Sequence, residues 1–205
     1  MMNIQIIDKK EYVVSVWSGG KTTQICLAPP HAKFEVGEFD YRVSSATINL
    51  EKTVFTSLPN YNRIIMPIQQ TLTLQHPDIS QKKIVLQSFE IYFFNGDMKT
   101  VSYGKCVDFN VIYKPTYKSE VGVYNAKDVS VLKKGIVYIL FAIQDIQLTF
   151  YKNGKDMVNL TLPKHHSLHV TNILDDYEVH TLSHIQDHVP VYIQVSICDN
   201  DYEKL

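Results

Sequence analysis

Long apolar runs and an excess of either charge are both absent from this sequence of 205 residues. No stretch approaches the roughly 18 consecutive apolar residues that span a bilayer, and residues 1–12 mix isoleucine with charged side chains, unlike the core of a signal peptide. Lys and Arg number 20 against 21 for Asp and Glu, so the net charge is −1. Nucleic-acid modules normally carry a strong positive field. We therefore expect a cytoplasmic protein that interacts with neither membrane nor nucleic acid.

Cysteine and arginine are scarce. The 3 cysteines, Cys26, Cys106 and Cys198, are odd in number and far apart, which predicts reduced thiols rather than a disulfide framework or a zinc knuckle. Of the 20 basic residues only Arg42 and Arg63 are arginines. Because the planar guanidinium binds a carboxylate through two parallel hydrogen bonds and lysine does not, both positions are candidate contacts for an anion.

Short β-branched and aromatic runs recur at intervals of about 8–12 residues, which is typical of a sandwich or barrel. The predicted strands are residues 12–17, 41–48, 63–68, 71–74, 84–86, 89–94, 108–113, 136–142, 147–151, 158–162, 168–173 and 189–197. Asn153-Gly154 predicts a hairpin. One helix, over 175–187, competes with a strand. The fold class is all-β, and the length and strand number fit two small barrels in one compact domain, residues 1–115 and 116–205, with a loop at 114–119 between them.

Period-2 alternation places Arg42, Ser44, Ala46 and Ile48 on one face of the strand 41–48. If that face is interior, Arg42 needs an anionic partner, because burying an unpaired guanidinium costs several kcal/mol. That partner is either an internal carboxylate (Asp97, Asp108 or Glu90) or the carboxylate of a ligand. The same alternatives hold for Arg63, which follows a turn.

Motifs of catalysis and metal binding are weak. Gly19-Gly20-Lys21-Thr22 lacks the earlier glycine of a phosphate-binding loop, and we interpret it as a turn. His180, His184 and His188 have helical spacing, but no Glu completes a zinc-protease pattern, so we expect no metal site and no cofactor. No nucleophile elbow occurs.

Several short strings in the first half follow one another in a distinctive order. They are Trp17-Ser18-Gly19-Gly20-Lys21-Thr22-Thr23, Tyr41-Arg42-Val43-Ser44-Ser45-Ala46, Phe55-Thr56-Ser57-Leu58-Pro59-Asn60-Tyr61-Asn62-Arg63, Phe94-Asn95-Gly96-Asp97 and Asp108-Phe109-Asn110-Val111. Their order and spacing resemble the HutD/Ves family, over roughly residues 17–111. The chain departs from that family's pattern at Tyr41, where the family has Trp, at Lys21 in the glycine-rich turn, and at Asn60, where it has Gly.

The resemblance implies a bicupin, two cupin-like (RmlC-like) β-barrels in one chain. It also implies an association with bacterial histidine utilisation. Members of the family are proposed to bind an intermediate of that pathway, such as formylglutamate. Another branch of the family is linked to cold and stress responses. No catalytic activity is firmly attached to the family.

We therefore expect a non-enzymatic protein that binds a small anionic ligand in a regulatory role. The expected ligand contacts are Arg42, Arg63, Trp17, Thr22, Ser44, Asp97, Asp108 and Asn110. Two alternatives stay open: an enzyme acting on a small carboxylate, with Asp97, Asp108 or a histidine as general base, and an interaction module without a ligand. A homodimer is a reasonable prior for a β-rich chain.

Overall fold

The computed structural model describes residues 2–184 and 186–201, which form 19 strands and no helix. The strands are β1 (Asn3–Ile7), β2 (Val13–Trp17), β3 (Gly20–Ala28), β4 (Tyr41–Ile48), β5 (Lys52–Val54), β6 (Asn62–Gln69), β7 (Leu72–Gln75), β8 (Lys83–Leu86), β9 (Tyr92–Asn95), β10 (Val101–Tyr103), β11 (Cys106–Tyr113), β12 (Tyr117–Asn125), β13 (Val129–Leu132), β14 (Val137–Ala142), β15 (Ile146–Lys152), β16 (Lys155–Leu162), β17 (Ser167–Thr171), β18 (Tyr177–Leu182) and β19 (Pro190–Asp199). The predicted all-β class is confirmed.

The chain folds into two compact units. One, Tyr12–Pro115, holds both arginines and is called the arginine unit here. The other, called the terminal unit, combines Met1–Glu11 with Thr116–Leu205. The predicted first barrel began at residue 1, but β1 pairs along its length with β17, from Asn3 opposite Thr171 to Ile7 opposite Ser167. Residues 1–11 therefore belong with the second half of the chain, and the description of each unit as a barrel stays a prediction.

Two antiparallel sheets make up the arginine unit. The larger has the order β2-β3-β4-β11-β6-β9, and the smaller has the order β5-β10-β7-β8. Apolar side chains from both sheets form a shared core, including Ile48 and Ile65 from the larger sheet and Leu72, Leu74 and Leu86 from the smaller. Successive side chains of a strand point to opposite faces of its sheet, and one face of each sheet is buried against the other sheet.

The terminal unit repeats this plan with the sheets β1-β17-β14-β19-β12 and β13-β18-β15-β16. Its core is built from buried apolar residues of both sheets, among them Leu140, Phe150, Leu168, Val179 and Tyr192.

Local turn chemistry explains one predicted hairpin and corrects two other expectations. Asn153 and Gly154 have φ of 52° and 73° and connect β15 to β16, as the Asn-Gly pair predicts. The prediction of a helix over 175–187 is wrong, because β18 occupies Tyr177–Leu182 among the residues that the structure describes there. The strand predicted from residue 89 begins only at Tyr92, since Phe89 has a φ of 70°, a turn conformation.

The described residues contain no helix that is long and apolar enough to cross a membrane.

Candidate ligand-binding site

A cavity of about 260 Å³ lies within the arginine unit, lined by strands of both its sheets and by two connecting segments. Its volume lies just below the roughly 300–1,000 Å³ of pockets for drug-sized ligands, so it suits a small metabolite. The lining residues are Ser15, Trp17, Thr22, Phe34, Arg42, Ser44, Ala46, Ile48, Thr53, Val54, Phe55, Thr56, Leu58, Arg63, Asp108, Asn110 and Ile112.

Strand β4 supplies one wall. Arg42, Ser44, Ala46 and Ile48, which alternation places on one face of this strand, all line the cavity. Because side chains two residues apart point the same way, the position of Arg42 fixes that of the other three. This part of the site could be predicted from the sequence.

Strand β11 supplies the adjoining wall through Asp108, Asn110 and Ile112, again at alternate positions. Ile112 pairs with Arg42 on one side and with Arg63 on the other. The two arginines therefore stand in one row across three strands, with Cα atoms roughly 10 Å apart at a strand spacing of about 4.8 Å. Strand pairing thus brings together two residues that lie 21 positions apart in sequence.

Arg42 is buried, with 7% of its surface exposed. Its Nε donates a hydrogen bond to Oε1 of Gln24 at 3.0 Å, and its Cζ lies 3.9 Å from the centroid of the Phe34 ring. Desolvation lowers the pKa of Arg42 to about 10, so the side chain stays a cation at neutral pH.

Arg63 is buried to a similar degree, with 6% of its surface exposed. Its Cζ lies 4.9 Å from the Phe55 ring centroid and 5.1 Å from that of Phe94. One Nη1 donates to the carbonyl oxygen of Thr56 at 3.5 Å, which is long and weak, and the buried Nε has no partner among the described residues. Desolvation lowers the pKa of Arg63 to about 10, assisted by the charge of Arg42 and opposed by that of Asp108.

Neither arginine forms an ion pair within the described parts of the chain, where no carboxylate oxygen lies within 4.0 Å of either guanidinium. Of the internal partners that the sequence offered, Glu90 instead accepts a hydrogen bond from the backbone N–H of Gln87 at 2.7 Å. Asp97 is exposed on the turn after β9 and does not line the cavity. Asp97 is thus separated from the seven other candidate residues, which all line the cavity.

Asp108 contributes the cavity's carboxyl group, and it is 2% exposed. Burial raises the pKa of Asp108 to about 7, against the lowering effects of the Arg63 charge and of a hydrogen bond from the backbone N–H of Ala46. Its Oδ1 has no hydrogen-bond partner among the described residues. The group is therefore poised to change its protonation state near neutral pH.

The remaining polar lining is neutral. Trp17 forms part of the wall, and its indole Nε1 donates to Oγ1 of Thr22 at 3.3 Å. Ser44 is buried beside Asn110, its partner in the pairing of β4 with β11. The Oδ1 of Asn110 is buried and has no hydrogen-bond partner among the described residues.

Tight turns hold the two covering segments in place. Tyr61 donates its hydroxyl to the carbonyl oxygen of Phe39 at 2.6 Å and accepts from the N–H of Gly37 at 3.1 Å, which fixes the loop that carries Phe34. Gly96 exchanges backbone hydrogen bonds with Leu58 and Tyr61, and a Cβ at Gly96 would lie 2.4 Å from the Leu58 carbonyl oxygen. Glycine is required there by this close approach.

The three departures from the family pattern have different consequences. Asn60 adopts a φ of 63°, a left-handed conformation that Asn tolerates better than most residues other than Gly, so the turn is kept. Lys21 and Tyr41 do not line the cavity, and Lys21 is exposed on β3.

Sequence reasoning missed the aromatic rings that cover the arginines and the amide that binds Arg42. Phe55 begins the motif that ends at Arg63, so this motif could have indicated that Phe55 lies near Arg63. Gln24 alternates with Thr22 on β3, and a strand prediction there would have placed it. Phe34 lies in a loop without periodicity, and no local pattern indicates its contact with Arg42.

The other motifs do not form a second site. Gly20 and Lys21 pair with Trp17 and Val16 in the β2–β3 hairpin, as expected of a turn rather than a phosphate-binding loop. His180 lies on a strand and contacts Glu178 at 3.3 Å, so helical spacing does not apply to it. Within residues 2–184 and 186–201, no group of three or more His, Cys, Asp or Glu side chains is arranged to hold a metal ion.

Solved structures support the fold. HutD from Pseudomonas fluorescens SBW25, in a formate condition, has a TM-score of 0.72 at 20% identity over 97% of this chain and 100% of that one. A conserved protein of unknown function from Pseudomonas aeruginosa PAO1 has a TM-score of 0.75 at 19% identity, covering 96% and 100%. YhhW from Escherichia coli has a TM-score of 0.64 at 6% identity, covering 96% and 97%. These similarities show that this all-β chain has a cupin-like fold.

Sequence comparison defines the relationship further. No curated protein matches the chain. The family model described as HutD matches residues 9–184, most of the sequence and more than the motif blocks cover. The chain therefore belongs to the HutD family.

Proposed function

We propose that this protein binds a small carboxylate in the cavity of the arginine unit and acts as a non-enzymatic, regulatory ligand-binding protein. The observation that carries the proposal is the presence of two buried guanidinium groups in one cavity, neither with a carboxylate within 4.0 Å among the described residues.

Charge balance within the cavity favours an anion. Arg42 and Arg63 contribute two positive charges, whereas Asp108 contributes at most one negative charge and is partly protonated at neutral pH because burial raises its pKa to about 7. Burying an uncompensated charge costs several kcal/mol, so an anionic ligand is attracted by the net positive charge.

The aromatic rings support this interpretation. Phe34 covers one face of the Arg42 guanidinium, while Phe55 and Phe94 lie near that of Arg63. Stacking uses the face of a guanidinium and leaves N–H groups at its edge for a carboxylate. With two such edges, the cavity suits a dicarboxylate or an acyl amino acid.

Membership in the HutD family guides the choice of ligand. We propose an intermediate of histidine degradation, with formylglutamate as the first candidate and glutamate and urocanate as comparisons.

Two further predictions are that the protein acts in the cytoplasm and that it forms a homodimer. Sedimentation equilibrium of the purified protein tests the homodimer.

Isothermal titration calorimetry with these three compounds at up to millimolar concentration tests the proposal. We expect at least one to bind and Arg63→Ala to weaken its binding tenfold or more, because each charge-assisted hydrogen bond contributes about 1.5–3 kcal/mol. Lys105→Ala is the control, since Lys105 is an exposed cation paired with Glu51 at 3.1 Å. If no compound binds, or if the folded Arg63→Ala protein binds as tightly as the parent, the proposal is wrong.

One observation favours a second candidate function, an enzyme acting on a small carboxylate. A carboxyl group whose pKa is about 7 matches the requirement for a general base, and Asp108 lies in the same cavity as the two arginines. Turnover of formylglutamate by purified protein, followed by NMR and lost in Asp108→Asn, would promote this candidate. Binding without turnover supports the non-enzymatic role.

A further inference from the structure

The cavity contains several buried polar atoms without a partner among the described residues. Four of its lining residues each carry such an atom when all described residues are considered: Thr53 Oγ1, Arg63 Nε, Asp108 Oδ1 and Asn110 Oδ1. An unmet buried donor or acceptor costs about 1–3 kcal/mol. Their clustering indicates that a ligand supplies the missing hydrogen bonds.

These atoms differ in what they require. Arg63 Nε is a donor, which a carboxylate oxygen satisfies. The amide oxygen of Asn110 and the ionised carboxylate oxygen of Asp108 are acceptors, which a carboxylate leaves unmet. A ligand that satisfies the cavity must therefore combine a carboxylate with an N–H or O–H group.

The two acceptors are arranged to meet one part of a ligand. Asp108 and Asn110 are two residues apart on β11 and point to the same face, at a Cα separation of about 7 Å. Along β11, Asn110 lies two residues from Ile112, which pairs with both Arg42 and Arg63. Acceptors and guanidinium groups are thus neighbours on one sheet face, within reach of a single small molecule.

Resting on the proposed function, we propose that the cavity selects carboxylates that also carry a hydrogen-bond donor, the class of acylamino, amino and hydroxy acids, with Asn110 as the specificity-determining acceptor and Asp108 as the second. A plain dicarboxylate satisfies the arginines but leaves the Asn110 oxygen unpaired, and leaves that of Asp108 unpaired whenever its carboxyl group is ionised. A site built to accept a ligand's N–H or O–H discriminates strongly against the analogue that lacks it.

A matched series of dicarboxylates that share the five-carbon glutarate backbone tests this inference by calorimetry. Glutarate has no donor, 2-hydroxyglutarate adds an O–H, N-formylglutamate adds an amide N–H, and 2-methylglutarate adds bulk without a donor. We expect both donor-bearing compounds to bind at least tenfold more tightly than glutarate, and 2-methylglutarate to bind no more tightly than glutarate.

The variant Asn110→Leu keeps the number and branching of the side-chain heavy atoms but removes the acceptor. It should bring the affinity for 2-hydroxyglutarate and N-formylglutamate to within about threefold of the affinity for glutarate measured on the same variant. Asn49→Leu is the control, because Asn49 is exposed and does not line the cavity.

The outcomes separate the two proposals. If glutarate binds as tightly as the donor-bearing compounds, or if Asn110→Leu keeps the parent's selectivity, this inference is overturned while carboxylate binding stands. If no compound binds, the proposed function fails and the inference fails with it. The comparison of ligands on the parent protein decides the question even where Asn110→Leu does not fold.

Discussion

Replacing Asp108 by asparagine tests the electrostatics of the cavity without any ligand. Asp108 is 2% exposed, and burial raises its pKa from 3.8 to about 7. Asparagine has nearly the same shape as the protonated acid but never ionises. The substitution therefore removes one titration from the folded protein and leaves the packing around it nearly unchanged.

The sign of the effect follows from the protons bound by each state. Below pH 4 the carboxyl group is largely protonated in both folded and unfolded parent protein. Between pH 4 and 7 the unfolded chain loses this proton while the folded protein keeps it, so the parent's free energy of unfolding falls as pH rises. Arg42 and Arg63 stay charged throughout, because the pKa of each is about 10.

The magnitude follows from the separation of the two pKa values. Each pH unit between them corresponds to about 1.4 kcal/mol, so the advantage of Asp108→Asn over the parent grows by up to about 4 kcal/mol between pH 4 and 8. Above pH 8 the difference should be constant, since Asp108 is then ionised in both states.

Urea denaturation of both proteins at half-unit steps from pH 4 to 8.5 measures this difference. Titrating histidines occur in both proteins and cancel when the two curves are subtracted. Asp97→Asn, at an exposed position outside the cavity, is the control variant. A flat difference for Asp108→Asn would refute the reasoning. A difference that falls with rising pH would show Asp108 to be the counter-ion of Arg63, and the need for an external anion would weaken with it.

Two other predictions concern the thiols and the aromatic cover. Burial raises the pKa of Cys26 and of Cys106 to about 12, so in a Cys198→Ser background at pH 8 a disulfide reagent should label the folded protein at least 100-fold more slowly than the urea-unfolded protein. Equal rates would contradict the raised pKa values of the two thiols. Phe34→Ala removes the ring 3.9 Å from the Arg42 Cζ, a cation–π contact worth about 0.5–1 kcal/mol, and should weaken carboxylate binding two- to fivefold in calorimetry. Undiminished affinity would show that Phe34 does not position Arg42.

The predictable part of the site is the part that local periodicity controls. Alternation on β4 placed Arg42, Ser44, Ala46 and Ile48 on one face because the side-chain period of a strand is a property of the backbone. The same rule relates Asp108, Asn110 and Ile112 on β11. The row that joins Arg42 to Arg63 through Ile112 depends on strand pairing, which the sequence alone left undetermined.

Long-range pairing and loops account for what was missed. β1 pairs with β17, more than 150 residues away, and no local pattern indicates that partner. β5 and β10 have 3 residues each, too few for a period to be recognised, although β5 supplies Thr53 to the cavity. Asp97 was selected from a motif block, but the turn after β9 leaves it exposed.

The two units show that the fold does not require a charged interior. In the terminal unit, apolar side chains such as Leu140, Phe150 and Leu168 are fully buried, and none of the charged side chains described there is buried to the same degree. The arginine unit instead retains two guanidinium groups and a carboxyl group, each of which is desolvated at a cost in stability. Well-packed apolar residues of similar volume usually serve stability as well or better. Because these buried groups lower the stability of the arginine unit, its polar cavity is best explained by the ligand it is proposed to hold.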